Sequence, residues 1–248
     1  MITTFDRFMF TQVGLDSAAL TMLGTVVHTP RVPGQYRGTV RAGGLPEATF
    51  YVSVDPQCAV AQVNIDLAGL MAPAAATTQA TGDCGCGSGD GEAGGSPRFV
   101  VHPKGYIVFH VSGGAGGYSV NLRRAEEDVE HKAYDTRQLQ AGDIFAAVVI
   151  RPGTYAMKNL VSGAQGELTV AYPVIGKTAF KPPPALHVDC GKTFEPRAVQ
   201  LLPSQGLNVH VLEAAHLKIE LLRADDGPGN APPGTRGGWK KTRLPAES

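Results

Sequence analysis

Apolar and polar residues alternate in short runs along most of this chain, and glycine and proline separate the runs. The alternation is densest between residues 98 and 173. Its centre, residues 139–155, followed by residues 166–173, reads as strand, tight turn, strand, loop, strand. Pro152 presets φ near −65° and Gly153 tolerates positive φ, so the pair marks a turn. Upstream, residues 35–41 and 48–54 flank a turn at 42–46 and predict a hairpin. Residues 59–67 follow with period two, which places Val63, Ile65 and Leu67 on one face. Residues 5–28 fit either a short helix or strands.

Residues 71–97 change character, with Gly, Ala and Cys in place of large apolar side chains. Such a stretch cannot offset the entropy of ordering itself, so a linker is expected there. Beyond it, strands are predicted at 98–102, 106–111 and 118–123, with the glycine run 113–117 read as a flexible hairpin. Lys181-Pro182-Pro183-Pro184 reads as a second, stiff linker. Strands follow at 198–202, 207–212 and 217–222. Residues 224–248 read as a disordered tail. The expected organisation is a small N-terminal β unit (1–70), the linker (71–97), a β-sandwich (98–223, built from 98–173 and 186–223) and the tail.

Composition supports an all-β class. Glycine (31) and proline (18) make up about a fifth of the chain, which demands many turns. Lysine plus arginine equals aspartate plus glutamate at 22 each, so no global field favours nucleic acid or an anionic membrane. No apolar window is long enough for a membrane span. The first residues carry no basic leader and apolar run, and a cytoplasmic protein is expected.

The segment 98–173 resembles a cupredoxin-type β-sandwich. An amphipathic strand opens at Gly142-Asp143, Pro152-Gly153-Thr154-Tyr155 follows, and residues 166–170 close. That likeness implies a sandwich fold and, in copper-carrying members, a cysteine and a histidine after the tyrosine. Here Met157, Lys158, Asn159 and Leu160 stand at those positions, so a blue-copper site is not expected and the sandwich is read as a scaffold.

Cys84-Gly85-Cys86 is the sharpest chemical feature, because two thiols one residue apart suit Zn or Cu(I). With His187 and Cys190 they make a candidate four-ligand site. His102, His110, His131, His210 and His216 are read as ordinary sheet histidines, and Asp143 as a turn residue. The run 113–117 is followed by a strand and lacks the helix N-terminus of a phosphate cradle. Glu126, Glu127, Asp128 and Glu130 read as a solvated acidic face, and the basic residues of the tail, Arg236 to Arg243, as too local to imply nucleic acid. No nucleophile elbow, metalloprotease helix or Walker loop occurs. The expected function is a non-enzymatic binding or structural module, without a cofactor, that recognises a protein partner or self-assembles. The alternative is a metal-handling protein using Cys84 and Cys86.

Overall fold

A computed structural model describes residues 13–72, 95–126, 129–171 and 183–225. The described chain is all-β. In order it forms β1 (Gly14–Asp16), β2 (Gly24–His28), β3 (Gly34–Arg41), β4 (Ala48–Val54) and β5 (Gln62–Asp66), then one short helix, α1 (Leu67–Met71). There follow β6 (Arg98–Val101), β7 (Tyr106–His110), β8 (Ser119–Glu126), β9 (Val129–Asp135), β10 (Ile144–Val148), β11 (Gly153–Asn159) and β12 (Gln165–Val170). The last are β13 (Leu186–Cys190), β14 (Phe194–Glu195), β15 (Ala198–Leu201), β16 (Gly206–Val211) and β17 (Leu217–Ala224).

Three mixed sheets result. A seven-stranded central sheet runs β14-β13-β16-β10-β2-β7-β5, and two five-stranded sheets run β6-β4-β3-β8-β9 and β1-β17-β11-β12-β15. Residues on both sides of 71–97 contribute to the central sheet and to the β6–β9 sheet, and the strands of 98–173 are spread over all three. One hydrophobic core joins them, with Phe50, Phe109, Phe145, Tyr155 and Phe194 fully buried.

The pairing pattern reveals an internal duplication. In the first half β2 pairs β7, β7 pairs β5, β3 pairs β4 and β8, and β4 takes β6 in parallel. In the second half β10 pairs β16, β16 pairs β13, β11 pairs β12 and β17, and β12 takes β15 in parallel. The antiparallel pair β2–β10 joins the two halves and lies on the local two-fold axis. Sequence echoes the repeat at a spacing of 119 residues: Asp16-Ser17 and Leu20 recur as Asp135-Thr136 and Leu139, and Pro33-Gly34 with Tyr36 recur as Pro152-Gly153 with Tyr155.

Both tyrosines do the same work. Tyr36 donates its hydroxyl to Val32 O at 2.6 Å, and Tyr155 donates to Arg151 O at 2.6 Å. Each ties a strand to the turn that feeds it. Gly34 and Gly153 open those strands at φ of 144° and 150°, a region that strongly favours glycine.

The first strand of each half is exchanged. β1 pairs β17 of the second half, whereas β9, the counterpart of β1, pairs β8 of the first half. Ser17 and Thr136 lock the exchange in equivalent ways: Ser17 Oγ accepts from Leu217 N–H at 3.1 Å, and Thr136 Oγ1 accepts from Val120 N–H at 2.9 Å. Neither half is complete without the other's leading strand.

Packing is conserved across the repeat by compensation. Opposite Gly38 on β3 stands Phe50 on β4, and a Cβ at Gly38 would lie 2.2 Å from the ring. At the equivalent pair the sizes are reversed: Met157 on β11 faces Gly166 on β12, where a Cβ would lie 2.9 Å from Met157 Cε. The interior admits one large side chain per pair, from either strand.

Several expectations change. The glycine run 113–117 does not close a hairpin, because β7 and β8 belong to different sheets; Gly114, Gly116 and Gly117 take positive φ to carry the chain between layers. The strand expected up to Leu67 ends at Asp66, whose carboxylate accepts from Ala68 N–H and caps α1. The acidic stretch leads into strand β9, which the sequence reading did not anticipate. The stretch 73–94, the run 172–182 and the tail from 226 lie outside the described residues, as do the linker and tail readings that fall on them.

Candidate functional site

Strand alternation decides which chemistry each sheet face holds. On β13, Val188 and Cys190 point into the core, while His187 and Asp189 are exposed on the outer face. His187 and Cys190, paired as candidate ligands by the sequence, therefore occupy opposite sides of one strand. Cys84 and Cys86 lie outside the described residues.

Cys190 is fully buried. Its Sγ accepts from Asn159 Nδ2 at 3.6 Å, and burial pushes the thiol up to about 11 against a weaker downward pull from that bond. It is a protonated, inert thiol at neutral pH. Asn159 fixes the surrounding loops as well: its Oδ1 accepts from Val161 N–H at 3.0 Å and His216 N–H at 3.1 Å, and its Nδ2 reaches Ala214 O at 3.4 Å.

His187 meets His210 of β16. His187 Nδ1 lies 3.1 Å from His210 Nε2, with ring centres 5.2 Å apart and planes at 66°. Asp189 is the register partner of His210 and lies on the same outer face. The remaining histidines have local tasks. His102 Nδ1 accepts from Lys104 N–H at 3.0 Å inside a turn, and His216 Nε2 lies 2.8 Å from Asp16 Oδ1. His110 is half-buried on the outer face of β7, and His131 is exposed on β9.

A second polar cluster sits where the two halves meet. His28 ends β2 and Asp143 precedes β10; Nδ1 and Oδ1 are 2.8 Å apart and both side chains are buried. Asp143 Oδ2 also accepts from Gln140 N–H at 2.7 Å, the turn role expected of it. Tyr134 stacks on the imidazole at 4.0 Å between centroids and is itself fully buried. Its hydroxyl has no hydrogen-bond partner among the described residues. Burial, then the carboxylates of Asp143 and Asp135, hold its pKa well above the usual tyrosine value.

The cluster has no copy at the other end of the two-fold. Where the repeat places the counterparts of His28, Asp143 and Tyr134 stand Ala147, Gly24 and Leu15. Leu15 also lines a small apolar recess with Leu23, Val149, Tyr155 and Ile219. Sequence reasoning passed over His28, since its partner lies 115 residues away. No family model, curated protein or solved structure matches this chain. No helix among the described residues is long and apolar enough to cross a membrane.

Proposed function

We propose that this protein is a non-enzymatic binding or assembly module whose duplicated β-scaffold presents sheet edges to a protein partner or to further copies of itself. The observation that carries the reading is the equivalence of two edge strands. Among the described residues β6 and β15 each pair with one neighbour only, in parallel, and each shows the order exposed, half-buried, exposed, buried: Arg98, Phe99, Val100, Val101 and Ala198, Val199, Gln200, Leu201. On β6, Pro97 O and Val101 O accept from β4 and its extension. The alternate backbone groups, those of Arg98 and Val100, then face the edge.

An edge of this kind accepts an added strand, with backbone hydrogen bonds giving affinity and alternate side chains giving selectivity. Two such edges on one chain make the module bivalent. The cupredoxin likeness of residues 98–173 enters this reading only as a scaffold without copper ligands.

The test is Val100→Lys combined with Gln200→Lys. Charge on an edge opposes strand addition without entering the core. Concentration-dependent association, or capture of a protein by the full chain, is expected to fall in this variant. A strictly monomeric protein with no captured partner, or capture indifferent to both lysines, overturns the reading.

A further inference from the structure

We propose that His187 and His210 form a binding site for a divalent transition-metal ion on the outer face of the β13–β16 pair. The inference is independent of the edge-strand reading and uses a different surface.

The geometry comes from the register. β13 and β16 run parallel, with His187 opposite Asn208 and Asp189 opposite His210, so the two histidines are diagonal neighbours on one face. The residues between them, Val188 and Val209, are buried on the other side and hold both strands in place. Nδ1 of one ring and Nε2 of the other stand 3.1 Å apart. Two imidazoles bound cis to one ion at about 2.0–2.1 Å place their nitrogens about 2.9 Å apart at a right angle and about 3.3 Å apart at a tetrahedral angle. The observed gap lies between these limits; it is a hydrogen bond between the rings, which a bound ion would replace, the ring hydrogen moving to the other nitrogen of its imidazole.

The surroundings favour a cation. Asp189 is exposed on the same face beside His210, and Glu195 of β14, also exposed, is its register partner. Among the described residues no set of three or more His, Cys, Asp or Glu side chains converges on one point, so water completes the coordination. Two neutral imidazoles with water select Zn²⁺, Ni²⁺ or Cu²⁺, whereas Cu(I) prefers sulfur.

The repeat supplies an internal comparison. In the first half the equivalent positions hold Asn64 and His110, and Asn64 Oδ1 accepts from Gln62 Nε2 at 2.8 Å. One imidazole is present there and the chelating pair is not. The second half alone carries both ligands.

Titration of the full chain with Zn²⁺ or Ni²⁺, followed by calorimetry and by the histidine ring signals in NMR spectra, tests the site. Uptake of one ion that broadens or shifts His187 and His210 is expected. His187→Asn, which copies the first half, and His210→Asn should each weaken binding at least tenfold, with far-UV circular dichroism confirming the fold. His110→Asn, and Cys84→Ser combined with Cys86→Ser, should leave it unchanged. Cu²⁺ bound to the unsubstituted protein should give an electron paramagnetic resonance spectrum with two nitrogen donors. Absence of uptake, binding undiminished in His187→Asn, binding lost with the cysteines, or a spectrum without nitrogen coupling overturns the proposal.

Discussion

His28 Nδ1 and Asp143 Oδ1 lie 2.8 Å apart across the junction of the two halves, and neither residue has a polar counterpart at the other end of the pseudo-two-fold. A buried carboxylate that loses its partner costs more than the pair contributes, because the survivor stays desolvated. His28→Ala and Asp143→Ala should each destabilise the protein by about 1–3 kcal/mol. The double variant should cost less than their sum, as measured by denaturant unfolding in a double-mutant cycle. Additive losses would show that the contact carries no coupling.

The reversed size pairs make a second test. Gly38→Ala pushes a methyl into the Phe50 ring and should cost about 1–3 kcal/mol by overpacking. Gly38→Met with Phe50→Gly rebuilds the arrangement of Met157 and Gly166, and should be more stable than the sum of the single changes predicts. Urea midpoints of the parent, Gly38→Ala, the two single variants of the cycle and the double variant decide it.

Asp135 contributes to the acid sensitivity of the fold. Its carboxylate is buried, which by itself raises the pKa, yet hydrogen bonds from the Arg137 side chain and backbone and from Lys132 bring it down from 3.8 to about 2. The folded value lies below the unfolded one, so this contribution is complete above about pH 4 and is lost as pH falls toward 2. Asp135→Asn should flatten the stability profile in that window and leave its shape unchanged near neutrality. Unfolding free energies between pH 2 and 7 provide the check.

The raised thiol of Cys190 predicts protection. Iodoacetamide at neutral pH should leave Cys190 unmodified in the native protein and label it after denaturation, as read by peptide mass mapping. Rapid native labelling would contradict the burial.

Local structure was legible in the sequence to the extent that it depends on neighbours. The β3–β4 hairpin was readable because its turn and both alternating strands are contiguous. The Pro152-Gly153 turn was readable for the same reason, but not that it carries the chain from the central sheet into another. A turn motif specifies a reversal and says nothing about which sheet receives the next strand. The duplication was faint because only a few positions per half keep their identity, while pairs such as Gly38 with Phe50 and Met157 with Gly166 preserve volume and not sequence. Period two alone could have separated His187 from Cys190, since residues three apart on a strand face opposite ways. The meeting of His187 with His210, and of His28 with Asp143, depends on long-range register that spacing does not encode.

The exchanged leading strands also order events during synthesis. β1 leaves the ribosome about 200 residues ahead of β17, whose Leu217 N–H bonds Ser17. Its folded-state partner emerges only after nearly the whole described chain. β9 can dock at once on β8, which immediately precedes it. The β6–β9 sheet can thus close early, while β1 awaits its partner β17.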